Sequence, residues 1–159
     1  PERLYVHIKE FKVYRASKDL DFSSVRICCL ILTAPKSFVD RAKAVNDTWA
    51  PRCDRYVFIS ELMNQNLTSE QLVMAAQLPI APIENIITGY QHLTQKMTLA
   101  LLFAYEHYGN DYDWFVKADD DTYLIVENLK AFLLKQNASE PITFGYNFKV
   151  RTIHEQKAT

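Results

Sequence analysis

Continuous apolar runs predict the strands of this chain. Val25–Thr33 is almost entirely apolar and rich in branched residues, which is typical of a strand buried on both faces of a parallel sheet. Tyr56–Ile59 and Trp114–Val116 are shorter runs of the same kind. Weaker runs at Ile83–Thr88 and Ile142–Tyr146 predict a third and a late strand.

Other stretches repeat apolar residues with the period of an amphipathic helix. They predict helices over Ser37–Trp49, Ser69–Gln77, Tyr90–Tyr108 and Val126–Lys135, the first with Ser37 as its N-cap and the third followed by Gly109 as its C′ residue. The residues of the long helix predicted to face the core are Leu93, Met97, Leu101, Ala104 or Tyr105, and Tyr108. Because strand, helix and strand alternate, we predict an α/β fold with a mainly parallel sheet and a right-handed βαβ unit.

The run at Trp114–Val116 leads into three consecutive carboxylates, Asp119, Asp120 and Asp121. A packed core cannot hold three adjacent charges, so we expect them in the loop at the carboxyl end of that strand, where open α/β sheets bind ligands. The side chains of Asp119 and Asp121 can converge on one hard divalent cation, which prefers carboxylate and phosphate oxygens. The spacing predicts metal-bridged diphosphate binding; the alternative is a solvated turn that caps the next helix.

Composition narrows the class of protein. The chain has 159 residues, 48% of them hydrophobic, and 18 basic against 19 acidic side chains give a net charge of −1. This indicates one folded domain with no overall field toward nucleic acid or an anionic membrane, so a polyanion site must be local. No apolar run of about 18 residues and no signal-like leader occur, and we expect any membrane anchor to lie outside this sequence. With 3 glycines there is no glycine-rich phosphate loop, which argues against a kinase.

Two further motifs accompany the acidic loop. Arg41–Trp49 has the pattern Arg-x6-Thr-Trp after the first strand, and His92–Met97 lies on the long helix that leads into Lys117–Tyr123, Lys-Ala-Asp-Asp-Asp-Thr-Tyr. With these motifs the chain resembles the β1,3-glycosyltransferase family, most closely its core 1 β1,3-galactosyltransferases. The resemblance runs from about Val25 to Phe148.

The resemblance implies a GT-A-like, Rossmann-type fold whose first half binds a UDP-sugar and Mn²⁺. It implies an inverting transfer of galactose from UDP-galactose to the 3-hydroxyl of O-linked GalNAc on glycoproteins. Similar enzymes are type II membrane proteins facing the Golgi lumen, and the resemblance allows a homodimer. The partners implied are a nucleotide sugar and an O-GalNAc glycoprotein acceptor.

The candidate site residues follow from the resemblance and from their positions. Those assigned to the nucleotide sugar are Thr33, Arg41, Lys96, Asp119 and Asp120, and those assigned to the metal are Asp119 and Asp121. Asp121 is expected to touch the ion directly, whereas Asp120 is a candidate for orienting the loop. No catalytic residue is identified in this segment.

Each assignment has a simpler alternative. Thr33 could be an ordinary strand-end threonine, Arg41 part of a solvated helix face, and Lys96 a surface lysine. We expect Trp49 to be a core residue and His92 a helix-face histidine that does not bind metal.

We divide the chain into an approach segment at 1–24, a nucleotide-sugar-binding domain at 25–148 and a divergent tail at 149–159. The family's acceptor half, with its catalytic base, has no counterpart here, so the fold is predicted to be truncated before it and the segment to be incomplete and inactive. The alternative is a non-catalytic relative that binds or chaperones a galactosyltransferase. The related chaperone lacks a complete acidic triplet, which this chain retains, so the resemblance favours the enzyme.

The three cysteines bear on compartment. Cys28 and Cys29 are strand neighbours that point to opposite faces, so only one of them can meet Cys53, and three reduced thiols are the alternative. The resemblance implies the Cys29–Cys53 pair, with Cys28 free and buried. That bridge would stabilise the fold by about 3 kcal/mol in an oxidising compartment.

Three triplets fit the acceptor pattern for N-glycosylation, at Asn46, Asn66 and Asn137. We expect the last two to lie in loops. Asn46 falls within a predicted helix near the proposed site, so we expect it to be unmodified.

Overall fold

The structure, a computed structural model, describes residues 21–62 and 66–145. Most of the predicted approach segment, Tyr146 of the predicted late strand and the tail at 149–159 lie outside the described residues. Among the described residues no helix is both long enough and apolar enough to cross a membrane.

Three parallel strands form the centre of the fold. β1 (Ile27–Leu32) lies between β2 (Arg55–Ile59) and β3 (Trp114–Asp119). Every residue of β1 is buried, as expected for a central strand covered on both faces. The register pairs Leu32 with Ile59 on one side and with Asp119 on the other, so all three carboxyl ends meet at one edge. The predicted α/β fold is confirmed.

Alternating side chains of β1 enter two separate cores. On one face Cys29 and Ile31 pack with Phe38, Val45 and Trp49 from the segment after β1. The helix α4 (Val126–Leu133) covers the same face through its first and last residues. On the other face Cys28, Leu30 and Leu32 pack against Ala100 and Ala104. The sheet is therefore sandwiched between helical layers.

The segment after β1 was predicted to be one regular helix. It consists instead of four short helical pieces. They are a 3₁₀ turn (Pro35–Ser37), a π-helical turn (Phe38–Ala42), α1 (Lys43–Asp47) and a second 3₁₀ turn (Ala50–Arg52). The prediction of Ser37 as an N-cap is wrong: its side chain makes no capping bond and is buried, because Pro35 already begins the first turn. The π-helical turn places Arg41 one residue before the turn ends.

Two of the predicted helices have bounds close to those expected. α2 (Ser69–Gln77) begins with a capping box, in which the Thr68 hydroxyl accepts from the Gln71 amide and the Gln71 side chain accepts from the Thr68 amide. α4 ends two residues earlier than predicted.

The buried face of the long helix matches the predicted stripe only in part. α3 (Leu93–Tyr108) follows a 3₁₀ turn at Tyr90–His92, and its buried residues are Lys96, Ala100 and Ala104. Of the predicted stripe, Ala104 is buried and Met97 and Tyr108 pack against the same core, whereas Leu93, Leu101 and Tyr105 are exposed. Small alanines let the helix lie close to the sheet. Gly109 ends the helix at φ −58°, so it does not adopt the left-handed C′ conformation either.

Two predicted strands are absent from the described residues. At Ile83–Thr88 the chain is irregular, because Asn85 has φ 61°, which a strand does not accommodate. A single bridge between Phe58 and Ile80 precedes it. In the late segment the amide of Ile142 bonds back to Glu140 instead of to a neighbouring strand, so residues 142–145 form no strand.

A disulfide joins Cys29 to Cys53, 24 residues later in sequence, with a Cα–Cα distance of 6.4 Å. Cys28 is free and lies in the opposite core. Burial raises the pKa of its thiol to about 11, so it stays protonated and unreactive toward the bridge. The predicted pairing is confirmed, and β1 is covalently fixed to the loop before β2.

We predict that Cys53→Ala lowers the free energy of unfolding by about 3 kcal/mol, because it releases the closed loop in the unfolded state. Urea denaturation without reductant measures this loss. Cys28→Ala is the matched control, since it also removes one buried sulfur but leaves the bridge intact, and it should cost about 1 kcal/mol. With reductant present, the difference between Cys53→Ala and the parent chain should largely disappear; an undiminished difference would show that the bridge contributes little.

Candidate functional site

A cleft of about 1160 Å³ opens at the carboxyl edge of the sheet. Its walls come from the end of β1, the turn that follows it, the residue Glu61 after β2, one side of α3 and the end of β3. All six predicted site residues line it: Thr33, Arg41, Lys96, Asp119, Asp120 and Asp121. The sequence motifs that lie far apart along the chain therefore meet in one place.

Asp120 fixes the acidic loop to the end of β1. Its amide donates to the carbonyl of Leu32 at 3.0 Å, and its carboxylate accepts the Thr33 hydroxyl at 2.8 Å. The Asp120 side chain is only 11% exposed. These bonds hold the loop against the neighbouring strand and support the interpretation of Asp120 as a residue that orients the loop.

Trp49 also holds the acidic loop, from the core that contains Cys29 and Ile31. Its side chain is fully buried, as predicted, and its indole N–H donates to the carbonyl of Thr122 at 2.9 Å. Trp49 of the Arg-x6-Thr-Trp motif thus packs in the core and holds the acidic loop. His92 is half-buried in the 3₁₀ turn before α3 and is not among the cleft-lining residues.

Asp121 and Asp119 present their carboxylates more openly. The Asp121 side chain is 66% exposed and its Oδ2 lies 3.9 Å from the guanidinium of Arg41. The same guanidinium lies 3.8 Å from Asp120. Asp119 is paired with Lys117 at 2.5 Å, and both side chains are nearly half exposed. The rim of the cleft therefore carries both carboxylates and cations. The cations, Arg41 and Lys117, are accessible to an anionic ligand.

Lys96 has partners within the protein. It is 5% exposed, and its ammonium donates to Glu61 at 2.7 Å and to the carbonyl of Thr33. The alternative of a surface lysine is therefore wrong. Glu61 is also buried, so the two charges form a pair shielded from solvent that joins α3 to the ends of β1 and β2.

Thr33 lies at the point where these contacts meet. Its amide donates to Ile59, its carbonyl accepts from Lys96, and its hydroxyl donates to Asp120. All its polar groups are engaged, and it is 4% exposed. Thr33 therefore links the buried ion pair to the acidic loop.

One wall of the cleft is apolar. Ile87, Tyr90, Leu93 and Leu101 line the cleft and are substantially exposed. Gly89 lies beside them at φ 109°, a conformation in which a side chain would be strained. The cleft thus offers a charged side and a side suited to a ring or hydrocarbon surface.

The acidic loop is suited to a hard divalent cation through its donor atoms. Carboxylate oxygens are the ligands such ions prefer, and a cation that also binds a diphosphate needs only one or two of them from the protein. Among the described residues no three His, Cys, Asp or Glu side chains converge into a ready-made site. Asp121 is the open carboxylate, and Asp119 would have to share its charge with Lys117.

The other acids near the acidic loop in sequence do not line the cleft. Asp113 bonds to Arg26, whose side-chain hydrogen bonds hold the pKa of that carboxyl below its usual range. Glu127 pairs with Arg52, and Glu140 accepts from Asn137. Neither these acids nor Asp111 are among the cleft-lining residues.

Sequence reasoning missed three charged residues of the cleft, Lys36, Glu61 and Lys117. Glu61 comes directly after the apolar run of β2, so the rule that ligands lie at the carboxyl ends of parallel strands would have identified it. Lys117 precedes Asp119 by two residues and so shares its strand face.

Comparison with known proteins agrees with this architecture. The model of the Fringe-like family matches residues 23–158. Glycoprotein-N-acetylgalactosamine 3-beta-galactosyltransferase 1 of Xenopus laevis is 32% identical over 125 residues, which cover 79% of this chain and 31% of the relative. Chondroitin sulfate synthase 3 of Mus musculus is 29% identical over 116 residues, covering 72% of this chain and 13% of the relative.

Human chondroitin sulfate synthase 3 is 30% identical over 119 residues, which cover 72% of this chain and 13% of its own length. The chain thus spans less than a third of the length of these relatives. The matched family model covers the cleft and all of its walls. The chain therefore belongs to the Fringe-like family of β1,3-glycosyltransferases.

Proposed function

We propose that this chain is the donor-binding half of a galactosyltransferase that uses UDP-galactose. The observation that carries the proposal is that the acidic loop, Arg41 and Lys117 line the same cleft as the apolar wall. The acceptor proposed is O-linked GalNAc on a glycoprotein, in line with the name of the Xenopus relative. The reaction proposed is an inverting transfer to the 3-hydroxyl, which makes core 1 O-glycans.

Asp121, with Asp119, would hold Mn²⁺. The ion would neutralise diphosphate charge and so favour departure of UDP. Arg41 is 56% exposed and can turn its planar guanidinium from the acids toward a phosphate group. Lys117 can add a second positive charge from the neighbouring strand.

The apolar wall excludes water from one side of the bound nucleotide sugar. Exclusion of water strengthens the electrostatic contacts made by Arg41 and Lys117 and limits hydrolysis of the donor. Asp120, Thr33 and Trp49 hold the loop in place, so that little ordering remains to be done when the donor binds.

The proposed location of the parent protein is the Golgi lumen, with a type II membrane anchor outside this sequence. The Cys29–Cys53 bridge supports an oxidising compartment of the secretory pathway.

We predict that UDP and Mn²⁺ together stabilise the chain more than either alone, because the diphosphate completes the oxygen shell of the ion. At ten times the dissociation constant the gain is about 1.4 kcal/mol, or roughly 4 °C in Tm. Asp121→Asn should abolish the joint gain. Asp111→Asn is the control, since it removes an exposed acid outside the cleft; equal gains in the two variants would contradict the role of Asp121.

A second prediction separates positioning by Lys96 from direct binding of phosphate. Lys96→Met and Glu61→Gln each leave a buried charge unpaired, so each should lower the free energy of unfolding by about 3–5 kcal/mol. The double variant Glu61→Leu with Lys96→Met removes both charges and should recover most of the stability and the affinity for UDP with Mn²⁺. Denaturation and calorimetric titration measure the two quantities. A stable double variant that binds UDP as weakly as Lys96→Met would show that Lys96 contacts the nucleotide itself.

A third prediction concerns turnover. Among the described residues, four carboxylates line the cleft: Glu61, which Lys96 neutralises, and Asp119, Asp120 and Asp121 on the leaving-group side. A positioned general base contributes about 10²- to 10⁴-fold, so residues 1–159 alone should bind the donor but transfer galactose at least about 100-fold more slowly than an enzyme that contains an acceptor half. Transfer of labelled galactose from UDP-galactose to a GalNAc-serine peptide measures this. Rates equal to those of such an enzyme would reveal a base within this segment.

A further inference from the structure

Three Asn-x-Ser/Thr triplets are not used by the proposed site, at Asn46, Asn66 and Asn137. This triplet is the acceptor pattern for N-linked oligosaccharides and requires a surface loop in a secreted or lumenal protein. The disulfide between Cys29 and Cys53 is an independent mark of such a compartment, since structural disulfides persist in oxidising surroundings. The structure distinguishes the three asparagines from one another.

Asn66 lies in an exposed loop before α2. The capping box of this helix is made by Thr68 and Gln71 and uses none of the polar atoms of Asn66. α2 itself has no buried residues, so a glycan at its N-terminal loop would leave the core packing undisturbed.

Asn137 is exposed in the turn after α4. Its Oδ1 accepts from the Ser139 amide at 3.1 Å, and its Nδ2 donates to Glu140 at 3.1 Å. An amide nitrogen carries two hydrogens, so a sugar on Nδ2 replaces one and leaves the other for Glu140. The turn is therefore compatible with a glycan at this nitrogen.

Asn46 differs in its surroundings. It lies in α1, four residues after Ala42 and three before Trp49, which are both buried. Its side chain is half-buried and accepts a hydrogen bond from the Tyr56 hydroxyl at 3.0 Å. A glycan at this position would have to extend from a half-buried side chain that is held against Tyr56 of β2.

We propose that Asn66 and Asn137 are N-glycosylation sites and that Asn46 is not. In this modification the amide Nδ2 loses a proton and bonds to the anomeric carbon of an oligosaccharide, whose lipid diphosphate leaves with the electrons of the broken C–O bond. The proposal depends on the compartment and not on the proposed galactosyltransferase function.

The test uses the full chain expressed behind a cleavable secretion signal in eukaryotic cells. Peptides from total cell protein are treated with peptide N-glycosidase in ¹⁸O water, which converts each glycosylated asparagine to labelled aspartate. Retention of a misfolded variant does not hide the result, because the glycan is attached before export. We expect label at Asn66 and Asn137 and none at Asn46.

Variants give a second measurement. Asn66→Gln and Asn137→Gln should each remove one glycan from the intact mass, and the double variant should carry none. Asn46→Gln is the matched control and should leave glycan mass unchanged, while peptide mapping of the Cys29–Cys53 bridge confirms folding. Label at Asn46 overturns its exclusion, and absence of label from Asn66 or Asn137 overturns the assignment of that site.

Discussion

The buried ammonium of Lys96 is the constraint on which the cleft depends. Removing Lys96 and Glu61 from water is costly, and the cost is offset only while the two stay paired at 2.7 Å and Lys96 also donates to the carbonyl of Thr33. Because Lys96 lies on α3, Glu61 follows β2 and Thr33 follows β1, the pair fixes a helix and two strand ends relative to one another. A displacement of any of these elements would leave a charge unpaired in the interior.

From this pair the structure becomes progressively more open toward the rim of the cleft. Thr33 connects the pair to Asp120 through its hydroxyl. Trp49 bonds to the carbonyl of Thr122 and so holds the loop two residues further on. Asp120 is 11% exposed, whereas Asp121, the next residue, is 66% exposed. A rigid anchor followed at once by an accessible carboxylate is the arrangement expected of a binding loop held in advance in its working position.

The strands and the acidic loop at their carboxyl ends were easier to predict from the sequence than the side-chain contacts that hold them together. β1, β2 and the acidic loop were predictable because continuous apolar runs indicate buried parallel strands and because charges must leave the core. The ion pair of Glu61 and Lys96 was not, since its members are far apart in sequence and meet only through tertiary packing. The face of α3 was predicted only in part for a related reason: Ala100 and Ala104 approach the sheet, and the larger Leu93 and Leu101 line the cleft instead. Asn85, with its positive φ, ended a strand that β-propensity alone favoured.

The relatives named for different products match 79% and 72% of this chain, so their matched parts overlap. The described structure contributes a charged rim, an apolar wall and an anchored acidic loop. Among the described residues, Glu61 is the one cleft-lining carboxylate besides Asp119, Asp120 and Asp121, and it cannot act as a base for an incoming hydroxyl without leaving Lys96 unpaired in the interior. Under the proposed function, activation of the acceptor would therefore come from other residues, which would separate recognition of the donor from the choice of acceptor.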